Sequence, residues 1–171
     1  MSRNLATIIL IYGLLLGIVC SVWTWVMWFT GWYKDLAFSN FGAILIPLLF
    51  VGVGAGLWKT ANLRQRYFRQ ALTGAALAAV AGLVFGINSI LLAGVVDPTF
   101  LPQQHELHQA SLRKWGFTEE EIATRVAAQP IETTTEHGVG SFFVAVKVGG
   151  VASILLSIFI RSRRQRRETA G

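Results

Sequence analysis

Apolar residues run through this chain in four long blocks. No Lys, Arg, Asp or Glu lies between Arg3 and Lys34, between Asp35 and Lys59, or between Arg69 and Asp97, and from Gly138 to Ile160 the only charge is Lys147. A bilayer core about 30 Å thick takes roughly 20 apolar residues at 1.5 Å each, whereas a helix at the edge of a soluble core carries charges on its wet face. The blocks therefore predict four membrane-spanning helices over residues 5–28, 41–58, 71–95 and 139–160. Pro47 falls inside the second and predicts a kink there. Trp28, Phe29, Trp32 and Tyr33 gather at one end of the first span, while Trp58, Tyr67 and Phe68 bracket the loop after the second. Amphipathic rings of this kind anchor a helix at the membrane–water interface.

The stretch 97–137 is too long for a turn, and its own pattern predicts structure. Asp97-Pro98 ends span three, because the residue before proline is pushed out of the helical region. A first short helix is predicted from Pro102 to Trp115, closed by Gly116. Thr118 with Glu121 three residues on forms a capping-box pattern that opens a second helix, stopped near Gln129 by Pro130. Leu107, Leu112, Trp115, Phe117, Ile122 and Val126 are expected to turn inward, making a helical cap over the bundle. The fold class is thus all-α: a four-helix transmembrane bundle with a short helical extracytoplasmic cap between spans three and four, forming one domain over 1–171.

Composition agrees with this solvent. The chain is 53% hydrophobic and 14% charged, against roughly 25% charged in soluble proteins. Its net charge of +6 does not point to nucleic acid, because ten of the fifteen basic residues flank span ends on one side. Those ten are Arg3, Lys59, Arg64, Arg66, Arg69, Arg161, Arg163, Arg164, Arg166 and Arg167; the other side carries Lys34, Arg113, Lys114 and Arg125, with eight of the nine acids. The positive-inside rule then puts both termini in the cytoplasm, the cap outside, and 161–171 as a basic cytoplasmic tail. The first apolar block carries no small-residue cleavage signal, so it is read as a retained helix and not a signal peptide. Val19 before Cys20 is too large for a lipoprotein site, and a single cysteine forms no internal disulfide and matches no metal spacing.

Candidate chemistry is sparse. Lys147 lies about nine residues into span four, where insertion scales assign a lysine a cost of about 2.5–3.5 kcal/mol. One reading gives it an anionic ligand, a lipid headgroup or a carboxylate of another subunit, since no span contains Asp or Glu. The other lets it snorkel to the outer interface. If it faces the bundle, Asn88 of span three is its expected polar neighbour. Gly74, Ala78, Gly82 and Gly86 in span three, Gly52 and Gly56 in span two, and Gly149, Gly150, Ser153 and Ser157 in span four form small-residue stripes for close helix packing, within one chain or across a dimer. Arg64, Arg66, Arg69, Arg161, Arg163 and Arg164 are candidate contacts for anionic headgroups or a cytosolic partner. His105 and His108, with Glu106 and the distant His137, are read as solvated histidines in preference to a zinc site, which needs three or four converging ligands. No catalytic motif, phosphate loop or cofactor-binding pattern occurs, and no cofactor is expected.

The order of Tyr12-Gly13-Leu14-Leu15-Leu16-Gly17, Tyr67-Phe68-Arg69-Gln70-Ala71-Leu72, Asp97-Pro98-Thr99-Phe100-Leu101 and Gly116-Phe117-Thr118-Glu119-Glu120-Glu121-Ile122 resembles a bacterial family, domain of unknown function number 4199. The resemblance covers nearly the whole chain. It implies a small four-span protein of the bacterial cytoplasmic (inner) membrane and carries over no activity and no catalytic residue.

These features lead to the expectation of a non-enzymatic accessory or scaffolding subunit with lipids, a membrane-protein partner or further copies of itself as partners. The alternative is a small oligomeric transporter or channel for an anionic or polar solute, using Lys147 and Asn88. A membrane enzyme would require His105, Glu106, His108 and His137 to converge at one cavity.

Overall fold

The computed structural model describes residues 3–36, 39–60, 66–129 and 131–169, without the side chains of 3, 39–41 and 161–169. Six helices occur: α1 (Arg3–Phe29), α2 (Leu45–Thr60), α3 (Tyr67–Leu91), α4 (Phe100–Lys114), α5 (Glu119–Ala128) and α6 (Thr134–Thr169). Short 3-10 helices, Trp32–Lys34 and Ser39–Ile44, join α1 to α2, and a π-helical turn, Leu92–Val96, closes α3. No strand occurs among the described residues.

Four of these elements are long and apolar enough to cross a membrane: Asn4–Phe29, Gly42–Thr60, Tyr67–Val96 and Thr134–Ile160. Each buries one stripe and turns the rest outward. In α1 the buried positions are Leu5, Ile9, Gly13, Leu16, Gly17, Cys20 and Met27, which fall on one helical face. Between them, Leu10, Leu14, Leu15, Ile18 and Val22 stay about half exposed. A soluble bundle would carry polar residues there, so hydrocarbon is the medium that makes this surface stable.

α3 is the centre of the bundle. It packs most extensively on α6, then on α1, and also touches α2; α2 in turn bridges α1 and α6. The small-residue stripe of α3 sets the α3–α6 seam within a single chain. A Cβ on Gly74 would collide with Ser153, one on Gly82 would lie 3.0 Å from the Phe142 carbonyl oxygen, and one on Gly86 would lie 2.8 Å from that of Gly138. On α6, a Cβ on Gly149 would collide with Ala78. Backbones approach this closely because water supplies no drive to association inside lipid, and direct packing must replace it. Gly13 and Gly17 of α1 make the parallel contact with Val80 and Val84 of α3. The core between the helices comprises Leu16, Cys20, Leu49, Val53, Leu57 and Leu77 with Ala78, Ala81, Ala145 and Ala152.

Several hydroxyls inside the spans are satisfied locally, whereas that of Ser157 is buried with no partner among the described residues. Ser21, Thr24, Thr73 and Ser89 donate to the carbonyls of Gly17, Cys20, Arg69 and Phe85, four residues back, which keeps them from needing water at membrane depth.

Several expectations are corrected. Pro47 does not kink a helix: α2 begins only at Leu45, after the 3-10 stretch, so the missing N–H falls in the first turn, where no intrahelical acceptor is needed. α6 starts at Thr134, five residues before the apolar block, because Thr133 and Glu136 form a capping box: the Thr133 N–H donates to Glu136 Oε2 at 2.8 Å and the Glu136 N–H to Thr133 Oγ1 at 3.2 Å. α6 also continues through the basic tail to Thr169. Span three ends where Asp97-Pro98 requires, with the Asp97 N–H reaching back five residues to the Leu92 carbonyl at 2.8 Å.

The cap is present in modified form. α4 begins at Phe100, two residues earlier than predicted, and Gly116 follows it at φ 87, the left-handed conformation of a helix-terminating glycine. The Thr118–Glu121 capping box opens α5. α4 rests on the 3-10 helix Trp32–Lys34 and on the end of α3, while α5 packs on α4. Leu112 and Ile122 are buried at that joint, but Trp115 is 72% exposed and does not turn inward. Pro130 lies outside the described residues.

Candidate functional site

The cap end is organised around one carboxylate. Asp97 Oδ2 accepts from Tyr33 Oη at 2.6 Å and from Trp28 Nε1 at 3.0 Å, and Oδ1 accepts from the Thr99 hydroxyl at 2.5 Å and the Thr99 N–H at 3.1 Å. The Thr99 hydroxyl, then the Tyr33 hydroxyl, outweigh partial desolvation and hold the carboxyl well below the usual carboxylate range. Burial, then the hydrogen bond to Asp97, push the Tyr33 phenol upward. Lys34 stacks over the Tyr33 ring, 5.2 Å from its centroid. One side chain therefore ties the end of α1, the following 3-10 helix, and the α3–α4 corner together. Deeper in the membrane, Trp25 Nε1 donates to Asn88 Oδ1 at 2.8 Å, a second polar link between α1 and α3.

Below this clasp lies a cavity of about 400 Å³. It lies where the 3-10 stretch Ser39–Ile44 leads into α2, beside the cap-side halves of α1 and α6. Trp23, Thr24 and Met27 of α1, Leu45 of α2, Phe85 and Ser89 of α3, and Ser141 and Val144 of α6 form its walls. Its mouth carries Phe100, Gln104, Glu132 and His137, and the same four residues line an adjoining cleft of about 310 Å³ that runs out past His105, His108 and Gln129. His137 Nδ1 lies 3.3 Å from Glu132 Oε2, and its ring packs edge-on against Phe100. Three histidines thus share one cleft. Glu106 does not join them; it lines a separate recess with Lys34 and Gln103. Among the described residues, no three metal-ligating side chains come close enough to hold an ion.

Lys147 and Asn88 are not brought together. The α3–α6 contacts pair Gly82 with Phe142 and Ala145, and Ala78 with Gly149, so Lys147 is level with the Ala78–Gly82 turn. Asn88 sits about two turns nearer the cap, on the order of 10 Å along the axis at 1.5 Å per residue, and faces Trp25 of α1. Its Nδ2 is buried without a partner among the described residues. Lys147 is exposed on the face of α6 opposite Ala145, Gly149 and Ala152, which are buried in the bundle. It is also the middle residue of the 27-residue span Thr134–Ile160.

The family described as protein of unknown function (DUF4199) matches residues 11–162. The chain belongs to this family. No curated protein and no solved structure matches it. The DUF4199 match takes in most of the first span, the other three and both cap helices, so the Asp97 clasp, the cavity and Lys147 all lie within it. Arg163 and Arg164 lie beyond it.

Of the basic candidates in this DUF4199 member, Arg66 and Arg69 are exposed at the start of α3. Arg64 lies outside the described residues, as do the side chains of Arg161, Arg163 and Arg164 on the last turns of α6. Sequence reasoning missed the Asp97 hub and the Trp25–Asn88 link. A usable signal existed: Asp97 is the acid immediately after a charge-free span, and Trp28 and Tyr33, each with a donor to place, end the span beside it.

Proposed function

We propose that this DUF4199 protein is a non-enzymatic accessory or scaffolding subunit that docks α6 against a different membrane protein carrying an Asp or Glu near the middle of one span. The observation behind this reading is the outward position of Lys147. At 1.5 Å per residue, about 12 Å of helix separates it from the cap-side end of the apolar block at Val139 and about 20 Å from the other end at Ile160, distances that an extended lysine side chain does not cover by snorkelling. A lysine left in lipid at that depth costs about 2.5–3.5 kcal/mol, and no described residue offers it a counter-charge. A second copy of the chain does not supply one at that depth either, since none of the four apolar blocks contains an acid; it would set lysine against lysine. The same face favours a helix: a Cβ on Gly140 or Gly150, flanking Lys147, would meet nothing within 4 Å, which leaves room for a neighbouring backbone. The basic excess at the opposite end from the cap supports a cytoplasmic location for both termini.

The test is purification of the full chain from its native membrane in mild detergent, beside Lys147→Met. The unmodified protein should retain a stoichiometric partner with a mid-span carboxylate, and Lys147→Met should lose it while eluting as a folded protein. Exchanging the charges, Lys147→Glu with the partner's acid changed to Lys, should restore the complex. A partnerless protein, or a partner held equally by Lys147→Met, overturns the proposal.

A further inference from the structure

The cap-side cavity offers surfaces of two kinds, arranged by depth. Its inner part lies within the spans, between Trp23 and Met27 on α1, Phe85 on α3 and Val144 on α6. Two hydroxyls of that wall have their hydrogens committed elsewhere: Thr24 to the Cys20 carbonyl at 3.1 Å and Ser89 to the Phe85 carbonyl at 3.0 Å. At the rim, the Gln104 amide donates to the Tyr33 carbonyl at 2.9 Å. The inner chamber is thus lined mainly by hydrocarbon, with Ser141 of α6 adding a small polar group. Its mouth is different, with the Glu132–His137 pair half exposed to the adjoining cleft.

We propose that this cavity binds one hydrocarbon chain of a lipid drawn from the cap-side leaflet, with the lipid's polar head held at Glu132 and His137. The volume, about 400 Å³, falls in the roughly 300–1,000 Å³ range of small-ligand sites. At this depth the surrounding solvent is acyl chain and not water, so a recess open on its flank and lined by apolar side chains takes up a chain in preference to a polar solute. Two glycines keep the recess open. Gly42 and Gly140 stand on its walls, and a Cβ on either would meet nothing within 4 Å among the described residues, so a larger side chain at either position enters the cavity without displacing those atoms. The site lies toward the cap from Lys147 and shares Gly140 with the outward face of α6, and Gly42→Leu, off that face, tests it apart from the role given to Lys147.

The full chain in phosphatidylcholine nanodiscs, exposed to a lauroyl lysophosphatidylcholine with a diazirine in its chain, tests this directly. Photolabel should fall on the Trp23–Met27 and Gly140–Val144 segments, saturate, and be displaced by excess unlabelled lauroyl lysophosphatidylcholine. Gly140→Leu and Gly42→Leu should each lower labelling about tenfold, the ratio that corresponds to about 1.4 kcal/mol of binding, while eluting like the unmodified protein. Labelling that is unchanged in both variants, or that spreads evenly over outward positions such as Leu15 and Val151, overturns the proposal. In the unmodified protein alone, label that rises without saturation and resists displacement does the same.

Discussion

Replacing Asp97 with Ala removes the acceptor for two donors from α1 and its following turn, Trp28 Nε1 and Tyr33 Oη, and for two from Thr99. A hydrogen bond to a charged group contributes about 1.5–3 kcal/mol, and a buried donor left without a partner costs about 1–3 kcal/mol. Tyr33 is only 5% exposed, so its hydroxyl bears that penalty. Trp28 is half-buried and water replaces part of its loss, as it does for the local Thr99 bonds. The net cost is then on the order of 2 kcal/mol, equivalent to a melting-temperature drop of about 4–8 °C for a chain of this length. Asp97→Asn keeps one acceptor and should fall between the two. Thermal loss of the monodisperse size-exclusion peak in detergent measures the series. A double-mutant cycle with Tyr33→Phe should show coupling, because each change removes the same bond. An Asp97→Ala protein as heat-stable as the parent, or additive effects in the cycle, refutes the hub. The pH dependence carries the same sign. A carboxyl whose folded value is depressed stabilises fully above its unfolded value of about 3.9, and that contribution drains away as pH falls toward the native value. Acidification below about pH 4 should therefore narrow the gap between the parent and Asp97→Asn.

Gly86→Leu should destabilise by about 1–3 kcal/mol, the usual range for overpacking, because its Cβ would sit 2.8 Å from the Gly138 carbonyl oxygen; detergent thermal unfolding checks it, with Gly140→Leu as the neutral comparison. Thr118→Ala should loosen α5 by about 1 kcal/mol through loss of the capping box, seen as faster amide exchange over Glu119–Ala128 with the spans unaffected. Replacing Arg113, whose ion pair with Glu119 at 2.8 Å is exposed on both sides, should leave thermal stability unchanged.

The four spans were legible because a bilayer imposes length and charge rules on single segments, and those rules need no knowledge of neighbours. The α5 cap was legible for a similar reason, since Thr118 and Glu121 satisfy each other within one turn. What escaped depends on partners far apart in the chain. Trp28 and Tyr33 looked like interfacial anchors, and their position at the membrane edge is consistent with that, but their donors are spent on Asp97, 64 and 69 residues away. The Thr133–Glu136 box was as local as the other and was overlooked because the apolar block, starting later, set the predicted boundary. Pro47 was misjudged because the charge-free interval hides where a 3-10 stretch gives way to α-helix. The cavity has no signature of its own, because its walls come from four helices far apart in the chain.

Charged and strongly polar groups along this bundle fall into two kinds, and depth distinguishes them. Asp97, at the interface, collects four hydrogen bonds from its own chain. Asn88, inside the span, collects one from Trp25 and keeps an unpaired amide that is nonetheless buried between helices. Both are turned toward protein, where the chain itself lowers their cost. Lys147, at the greatest depth, is turned away from it. If folding of the isolated chain were the only requirement, Lys147→Leu would be an improvement worth about 2.5–3.5 kcal/mol by insertion scales, and in detergent or pure lipid the variant should indeed be the more heat-stable protein. In the native membrane the order should invert, with Lys147→Leu turned over faster once the pairing on α6 is lost. Equal behaviour in both settings would mean that the lysine is solvated by headgroups after all, and that the outward face of α6 carries no partner.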